Sequence, residues 1–165
     1  MAAGSSTRYG TDKLEETLFG KPLWWVTTEA FLACPVVDEV VVVGRDVSSS
    51  MARHPKLVSC PGGASRQESA RLGLGASSCG IVLVHDAARP FVTSRLIEAV
   101  VEAARVHGAA FPGVPATDTL RQADGEGWQT LPREQVVQVQ TPQGFRRDIL
   151  ERAYALEMQI GRAHV

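Results

Sequence analysis

The chain has 165 residues, of which 44% are hydrophobic, and a formal net charge of -1. This length suits one domain with a real core, and the balanced charge excludes a strongly basic nucleic-acid binder and an acidic disordered tail. The apolar runs are too short to cross a bilayer. Three cysteines without metal-type spacing favour reduced thiols, so we expect a cytoplasmic protein.

Strand and helix signals alternate along the chain. The predicted elements, in order, are a helix over 21–34 with Pro22 in its first position, strands over 37–44 and 56–59, a helix over 65–74, a strand over 81–84, a helix capped by Thr93 and Ser94, a hairpin over 118–131, a strand over 136–140 and a helix over 145–155. This order predicts an α/β fold with a Rossmann-like, mostly parallel sheet flanked by helices.

The strand over 81–84 carries the most informative residues. It is a continuous apolar run, followed by Asp86 and Arg89, and ligands bind at the carboxyl ends of strands in open α/β sheets. An acid there can orient the water ligands of Mg²⁺ or the hydroxyl groups of a ligand. The alternative is an ordinary internal ion pair. We expect the neighbouring His85 to be a packed structural residue.

Two glycine-containing loops are candidates for a nucleotide site. The opening loop over 2–13 consists of small residues with Arg8 and Lys13, which suits a polyphosphate; a solvated turn is the alternative. Residues 62–69 form a Gly-Gly junction before a helix, whose free amide groups could contact a base, with Ser69 as a hydroxyl partner. From the residues alone, an ordinary helix cap is the favoured interpretation of this second loop.

Residues 112–143 interrupt the alternation. The hairpin over 118–131 has polar residues on both sides of its strands, so it is too exposed for the core sheet. Two interpretations of this segment remain. It is either a projecting arm over about 115–140 that pairs with a second subunit or a simple surface hairpin.

Six motifs occur in a family-like order: AAGSSTRYGTDK at 2–13, GKPL at 20–23, GGASRQES at 62–69, VLVHDAARPF at 82–91, a Pro-x-x-Asp-Thr step at 115–119 and QTPQGF at 140–145. With them the chain resembles the 2-C-methyl-D-erythritol 4-phosphate cytidylyltransferase family of the non-mevalonate isoprenoid pathway. The resemblance extends through about residue 157. HDAARPF together with TPQ is its specific part, because related nucleotidyltransferases share the opening loop.

The resemblance implies transfer of a cytidylyl group from CTP to a sugar-alcohol phosphate by a homodimer, with Mg²⁺ held mainly by the CTP phosphates. It assigns the following roles by position: catalysis to Arg8, Lys13 and Arg133; CTP binding to Ala2, Ala3, Gly4, Gly63, Ala64, Ser69 and Asp86; and acceptor binding to Asp86, Arg89, Thr119 and Arg133. Two positions depart from the family pattern. Asp12 replaces the usual proline before Lys13, and Pro132 replaces the usual acid before Arg133, which weakens the assignment of Arg133.

The implied chemistry needs no general base, because a phosphate monoester with a second pKa near about 6 is already largely ionised at neutral pH. Cations that stabilise charge on the transferred phosphorus are needed instead. The alternatives are a ribitol-5-phosphate cytidylyltransferase or another sugar or cofactor nucleotidyltransferase, a nicotinamide-dependent dehydrogenase, and a nucleotide-binding module without turnover.

The two ends of the chain lead to a further expectation. We expect one nucleotidyltransferase domain over 1–159 from which a first strand and a C-terminal part are missing, so that this polypeptide itself is nearly inactive. Residues 160–165 match the translation of a common sequencing adapter and are expected to be a non-native tail.

Overall fold

The computed structural model describes residues 12–47 and 54–162, with side chains up to residue 156. Its helices are α1 (Leu23–Leu32), α2 (Arg66–Gly75), α3 (Ser94–His107) and α4 (Arg147–Arg162). Its strands are β1 (Thr17–Leu18), β2 (Lys21–Pro22), β3 (Val40–Val43), β4 (Leu57–Cys60), β5 (Ile81–Val84), β6 (Ala109–Ala110), β7 (Gly113–Pro115), β8 (Arg121–Ala123), β9 (Trp128–Thr130), β10 (Val137–Val139) and β11 (Gln143–Arg146). No helix in these ranges has the length and hydropathy needed to cross a membrane.

The expected α/β class is confirmed, but the described strands are not mostly parallel. Strands β3 and β4 form a parallel pair, whereas β11 lies antiparallel between β5 and β6. Because β5 and β6 are both antiparallel to β11, they run in the same direction and α3 connects them as a crossover. The antiparallel strand follows an exposed ribbon of strands rather than a helix, so the crossover rule does not apply to it.

Two predicted helix starts are wrong by a few residues. Lys21 and Pro22 form β2, which pairs with β1, and Pro22 caps α1 from outside the helix. Phe145 and Arg146 belong to β11 rather than to the last helix, because Phe145 pairs with both β5 and β6. A pairing of this kind depends on residues far apart in sequence and overrides local helical preference.

Helices α1 and α3 bury the main core against the central sheet. Thr93 caps α3, as predicted, by accepting a hydrogen bond from the amide of Leu96. Along α3, Ile97 and Ala104 are completely buried. Ile97 packs with Phe31 of α1, and this contact holds the helical layer against β5.

Strand β11 approaches α3 so closely that a glycine is required at one position. A Cβ atom built on Gly144 would lie 2.8 Å from Val100 Cγ1 and 3.1 Å from Ala104 Cβ, and 3.0 Å from Leu83 Cδ2 of the neighbouring strand. Helix and sheet are therefore in contact at this point with no room for a side chain.

We expect Gly144→Ala to reduce the free energy of unfolding by about 1–3 kcal/mol, because the added methyl group overpacks this contact. Urea denaturation measures the change. Gly80→Ala is the matched control, since a Cβ atom there meets nothing within 4 Å. Equal stabilities of the two variants would contradict the close packing.

Candidate functional site

The carboxyl end of β5 brings one carboxylate together with two arginines. Asp86 Oδ1 lies 2.5 Å from Arg66 Nη1 at the start of α2, and Asp86 Oδ2 lies 3.3 Å from Arg89 Nε. The Asp86 side chain is 24% exposed, whereas those of Arg66 and Arg89 are 59% and 46% exposed. The ion pair therefore lies at the protein surface, with both guanidinium groups partly exposed and available to an anion.

Arg66 is not among the residues predicted for the site, although it lies within GGASRQES. Its position as the first residue of α2, directly after the capping Ser65, was the available signal. Because Arg66 lies about one helical turn after the two glycines, its guanidinium group can contact a ligand that binds at the Gly-Gly loop.

His85 holds the loop that carries Asp86 and Arg89. It is buried, its Nε2 lies 3.0 Å from the carbonyl oxygen of Arg89, and its Nδ1 lies 3.0 Å from Thr141 Oγ1. A neutral ring protonated on Nε2 satisfies both bonds, with Thr141 as the second donor. Burial lowers the pKa of His85 below its ordinary value of 6.5, and the bond to the Arg89 carbonyl opposes this effect. The expected structural role is confirmed.

Gln140 extends this network to the QTPQGF segment. Arg89 Nη1 donates a hydrogen bond to Gln140 Oε1, and Gln140 Nε2 lies 3.3 Å from the carbonyl oxygen of Gln138. Two motifs separated by about fifty residues in sequence therefore meet at one position, and one of them supplies an acceptor for the guanidinium group of the other.

The amide groups of the Gly-Gly loop are already engaged, in contrast to the expectation of free donors. Gly63 donates to Ser69 Oγ at 3.0 Å and Ala64 donates to Glu68 Oε2 at 2.7 Å, while Ser65 Oγ accepts from the Glu68 amide at 3.0 Å. The bond between Ser65 and Glu68 caps α2, and the other two bonds engage amide groups that precede the helix. Contact between Gly63 or Ala64 and a nucleotide thus requires their carbonyl groups or displacement of these side chains.

Lys13 begins a short 3-10 helix that Asp12 caps by accepting from the amide of Leu14 at 3.1 Å. Arg45 donates a hydrogen bond to the Asp12 carboxylate, and this bond is the main reason that the pKa of Asp12 lies below its ordinary range. The departure from proline at this position therefore has a structural role: the acid fixes the turn that presents Lys13. The predicted residues Ala2, Ala3, Gly4 and Arg8 lie outside the described residues.

Thr119 and Arg133 lie on the arm and not in the network around Asp86. Thr119 is exposed. Arg133 Nη1 donates to the carbonyl of Thr117 at 3.3 Å, and Arg133 Nε lies 3.6 Å from Glu134 Oε1. Within one chain, these bonds keep Arg133 at the arm.

Comparisons with known proteins agree with the family that the motifs indicate. The family model described as "IspD: 2-C-methyl-D-erythritol 4-phosphate cytidylyltransferase" matches residues 1–164. The Dehalococcoides mccartyi protein named 2-C-methyl-D-erythritol 4-phosphate cytidylyltransferase is 40% identical over 93% of this chain and 73% of its own length. A bifunctional enzyme IspD/IspF of Solidesulfovibrio magneticus is 42% identical over 94% of this chain and 44% of its own length.

A solved structure agrees with this result. The crystal structure of 2-C-methyl-D-erythritol 4-phosphate cytidylyltransferase from Thermus thermophilus superposes with a TM-score of 0.75 at 40% identity, over 97% of this chain and 74% of that one.

The buried His85 predicts how stability depends on pH. Its pKa is lower in the folded than in the unfolded chain, so the unfolded chain binds more protons and stability falls as the pH drops below the ordinary value. We expect the loss of unfolding free energy between about pH 7.5 and about pH 5.5 to be smaller in His85→Gln than in the parent chain. Urea denaturation at both pH values measures it, and equal losses would rule out His85 as a contributor.

Proposed function

The chain belongs to the 2-C-methyl-D-erythritol 4-phosphate cytidylyltransferase family, and from this premise we propose that it transfers the cytidylyl group of CTP to 2-C-methyl-D-erythritol 4-phosphate in isoprenoid precursor biosynthesis. The observation that carries the proposal is the ion-pair network of Asp86 with Arg66 and Arg89 in the HDAARPF segment. It provides cationic groups at the carboxyl end of a strand, where two polyanions can meet.

The reaction exchanges one phosphorus–oxygen bond for another. An oxygen of the acceptor's phosphate attacks the α-phosphorus of CTP, and the bond to the β-phosphate oxygen breaks so that pyrophosphate leaves. The attacking phosphate monoester is already largely ionised, with a second pKa near about 6, so no protein group has to remove a proton. Catalysis therefore depends on positioning and on charge stabilisation.

We assign the cations to the two sides of the reaction. Arg8 and Lys13 stabilise the negative charge that develops on the pentavalent phosphorus, and the guanidinium group of Arg89 binds the acceptor. Asp86 keeps Arg89 and Arg66 oriented through its two ion pairs and contacts hydroxyl groups of the substrates. Ala2, Ala3, Gly4, Gly63, Ala64 and Ser69 surround the nucleotide in this proposal.

Mg²⁺ is the divalent cation proposed for the reaction, where it would neutralise phosphate charge. Among the described residues there is no group of three or more His, Cys, Asp or Glu side chains able to hold a metal ion. The carboxylate of Asp86, already engaged by two arginines, suits contact with a water ligand of the ion. The residues present therefore fit a cation that arrives with the CTP phosphates.

We also propose that residues 115–140 form a dimerisation arm on a single Rossmann-like nucleotidyltransferase domain. Every residue of strands β7 to β10 is exposed, and the arm includes the large apolar side chains of Trp128, Val137 and Val139, which are 63%, 51% and 46% exposed. An exposed apolar ribbon favours pairing with a second chain. In a dimer, Thr119 and Arg133 would reach the acceptor site of the neighbouring subunit.

We propose that the protein is located in the cytoplasm. Cys34, Cys60 and Cys79 form no disulfide in the structure, and reduced thiols are typical of that compartment.

The activity is tested by pyrophosphate release from each of the four ribonucleoside triphosphates, paired with 2-C-methyl-D-erythritol 4-phosphate or with ribitol 5-phosphate. We expect slow release, in keeping with a nearly inactive polypeptide, and only with CTP and the methylerythritol acceptor. Preference for ribitol 5-phosphate, or CTP binding without release from any pair, would contradict the proposal.

Lys13→Ala should lower kcat by roughly 10²–10³ with a smaller effect on CTP affinity, because the ammonium group acts on charge that grows in the transition state. Arg8→Ala should behave in the same way. Lys21→Ala is the control, since Lys21 pairs with Glu29 at 2.8 Å on the surface and such pairs contribute little. A near-parental kcat in Lys13→Ala and Arg8→Ala would remove both residues from the mechanism.

Sedimentation tests the arm. We expect a dimer at micromolar concentration that the double substitution Val137→Asp and Val139→Asp converts to a monomer, because charges cannot be buried in an apolar interface. Val106→Asp is the matched control for the double substitution, since Val106 is 63% exposed on α3 and lies outside the arm. A monomeric parent chain, or a dimer that only Val106→Asp disrupts, would refute this interface.

A further inference from the structure

Arg45, two residues after the end of β3, pairs with acids at both ends of the short 3-10 helix Lys13–Glu15. Its Nη2 donates a hydrogen bond to Asp12 Oδ2, and its Nη1 lies 3.4 Å from Glu15 Oε1. Asp12 caps this helix and Glu15 is its last residue. One guanidinium group therefore joins the two ends of the turn that carries Lys13.

The partial burial of Arg45 favours these ion pairs. Its side chain is 21% exposed, compared with 36% for Asp12 and 51% for Glu15. Its Nε is buried without a hydrogen-bond partner in the part of the chain that the structure describes. A guanidinium group is always charged in proteins, and removing it from water is costly unless its other nitrogens are paired. The two carboxylates are therefore engaged by a cation in a fixed position.

The same turn is attached to the core by Leu14. This side chain is buried in one apolar cluster with Val42 of β3 and Trp24 of α1. Leu14 and Arg45 thus hold the turn independently, one by apolar contact and the other by charge, while the side chain of Lys13 is exposed. The backbone from which the lysine extends is therefore fixed, although its four-carbon side chain is flexible.

Arg45 also changes the electrostatics around Lys13. Asp12 is adjacent to this lysine in sequence and Glu15 is two residues away, so without Arg45 two carboxylates would attract the ammonium group. That attraction competes with any contact between the ammonium group and a phosphate. Pairing of both acids with Arg45 weakens the attraction and so favours contact between Lys13 and an anion.

The backbone of Asp12 has a conformation that a proline would also adopt. Its φ is -73°, close to the value of about -65° that the proline ring fixes. A proline sets this angle covalently and carries no charge, whereas the aspartate needs a cationic partner for its side chain. A proline at position 12 should therefore make Arg45 dispensable for the turn.

We propose that Arg45 is a positioning residue for Lys13: its ion pairs with Asp12 and Glu15 fix the turn that presents the lysine and neutralise the acids at its two ends. The inference rests on the proposed function, in which Lys13 stabilises charge on the transferred phosphorus. Arg45 has no contact with the reacting atoms and acts through the turn. Its loss should therefore slow the chemical step more than it weakens CTP binding.

Amide hydrogen exchange tests the turn without any need for turnover. The Glu15 amide donates to the carbonyl oxygen of Asp12 at 2.9 Å, and this backbone bond can also form with proline at position 12. We expect exchange at Glu15 to be about tenfold faster in Arg45→Ala and to return to within about twofold of the parent rate when Asp12→Pro is added. Arg105→Ala is the matched control, since Arg105 pairs with Glu102 on the surface of α3 at 2.6 Å, and it should leave exchange at Glu15 unchanged.

Turnover tests the effect on the lysine. Product formation is followed with CTP labelled in its α-phosphate, because a slow reaction needs a sensitive assay. We expect Arg45→Ala to lower kcat about tenfold with a change of less than about twofold in the KM for CTP, and added Asp12→Pro to restore most of kcat. In a Lys13→Ala background, Arg45→Ala should lower kcat no further, because its effect depends on this lysine.

Three results would overturn the proposal. These are unchanged exchange at Glu15 in Arg45→Ala, no recovery of exchange on adding Asp12→Pro, and an equal loss of kcat from Arg45→Ala with and without Lys13. A parent chain that does not turn over CTP at all refutes the proposed function and with it the catalytic effect of Arg45, while the exchange data still decide whether Arg45 fixes the turn.

Circular dichroism shows whether each variant is folded. Arg45→Gln keeps much of the length of the side chain without its charge, so it replaces Arg45→Ala if that variant unfolds. The same changes in exchange and in kcat are expected from it, and their absence would equally contradict the proposal.

Discussion

The hydrogen bonds of buried His85 are the constraint on which the site depends. One bond fixes the carbonyl of Arg89 in the loop after β5, and the other reaches Thr141 immediately before β11. Because the ring links these two segments, Asp86 and Arg89 leave β5 in a defined direction and Gln140 lies beside Arg89. The neutral, buried imidazole fixes the two segments by hydrogen bonds alone. The charges near the site are those of neighbouring residues.

The arrangement around Asp86 answers an electrostatic problem. Two polyanions repel each other, and a site that joins them must offer cations without letting those cations collapse onto the protein. Asp86 holds Arg66 and Arg89 by one ion pair each, while both arginines stay about half exposed. The carboxylate thus orients both guanidinium groups, which would reduce the reorganisation needed for the phosphate binding that we propose.

Local patterns predicted the parts of this structure that local interactions determine. The Thr93 cap of α3, the position of β5 and the placement of Asp86 and Arg89 directly after it all follow from spacing and residue type. Long-range pairing could not be read in this way: Phe145 is in a strand because it lies between β5 and β6. The same limit applies to Arg66, whose partner Asp86 is twenty residues away, and to Glu68, which occupies an amide donor expected to be free.

The central claim is that nucleotide binds where α2 begins and β5 ends. The most direct measurement is titration of the isotope-labelled chain with Mg²⁺ and CTP, followed by amide chemical shifts. The account predicts saturable shifts at Lys13, Ala64, Ser69 and Asp86, with weaker effects from ATP at the same concentrations. The absence of shifts at these residues would contradict it.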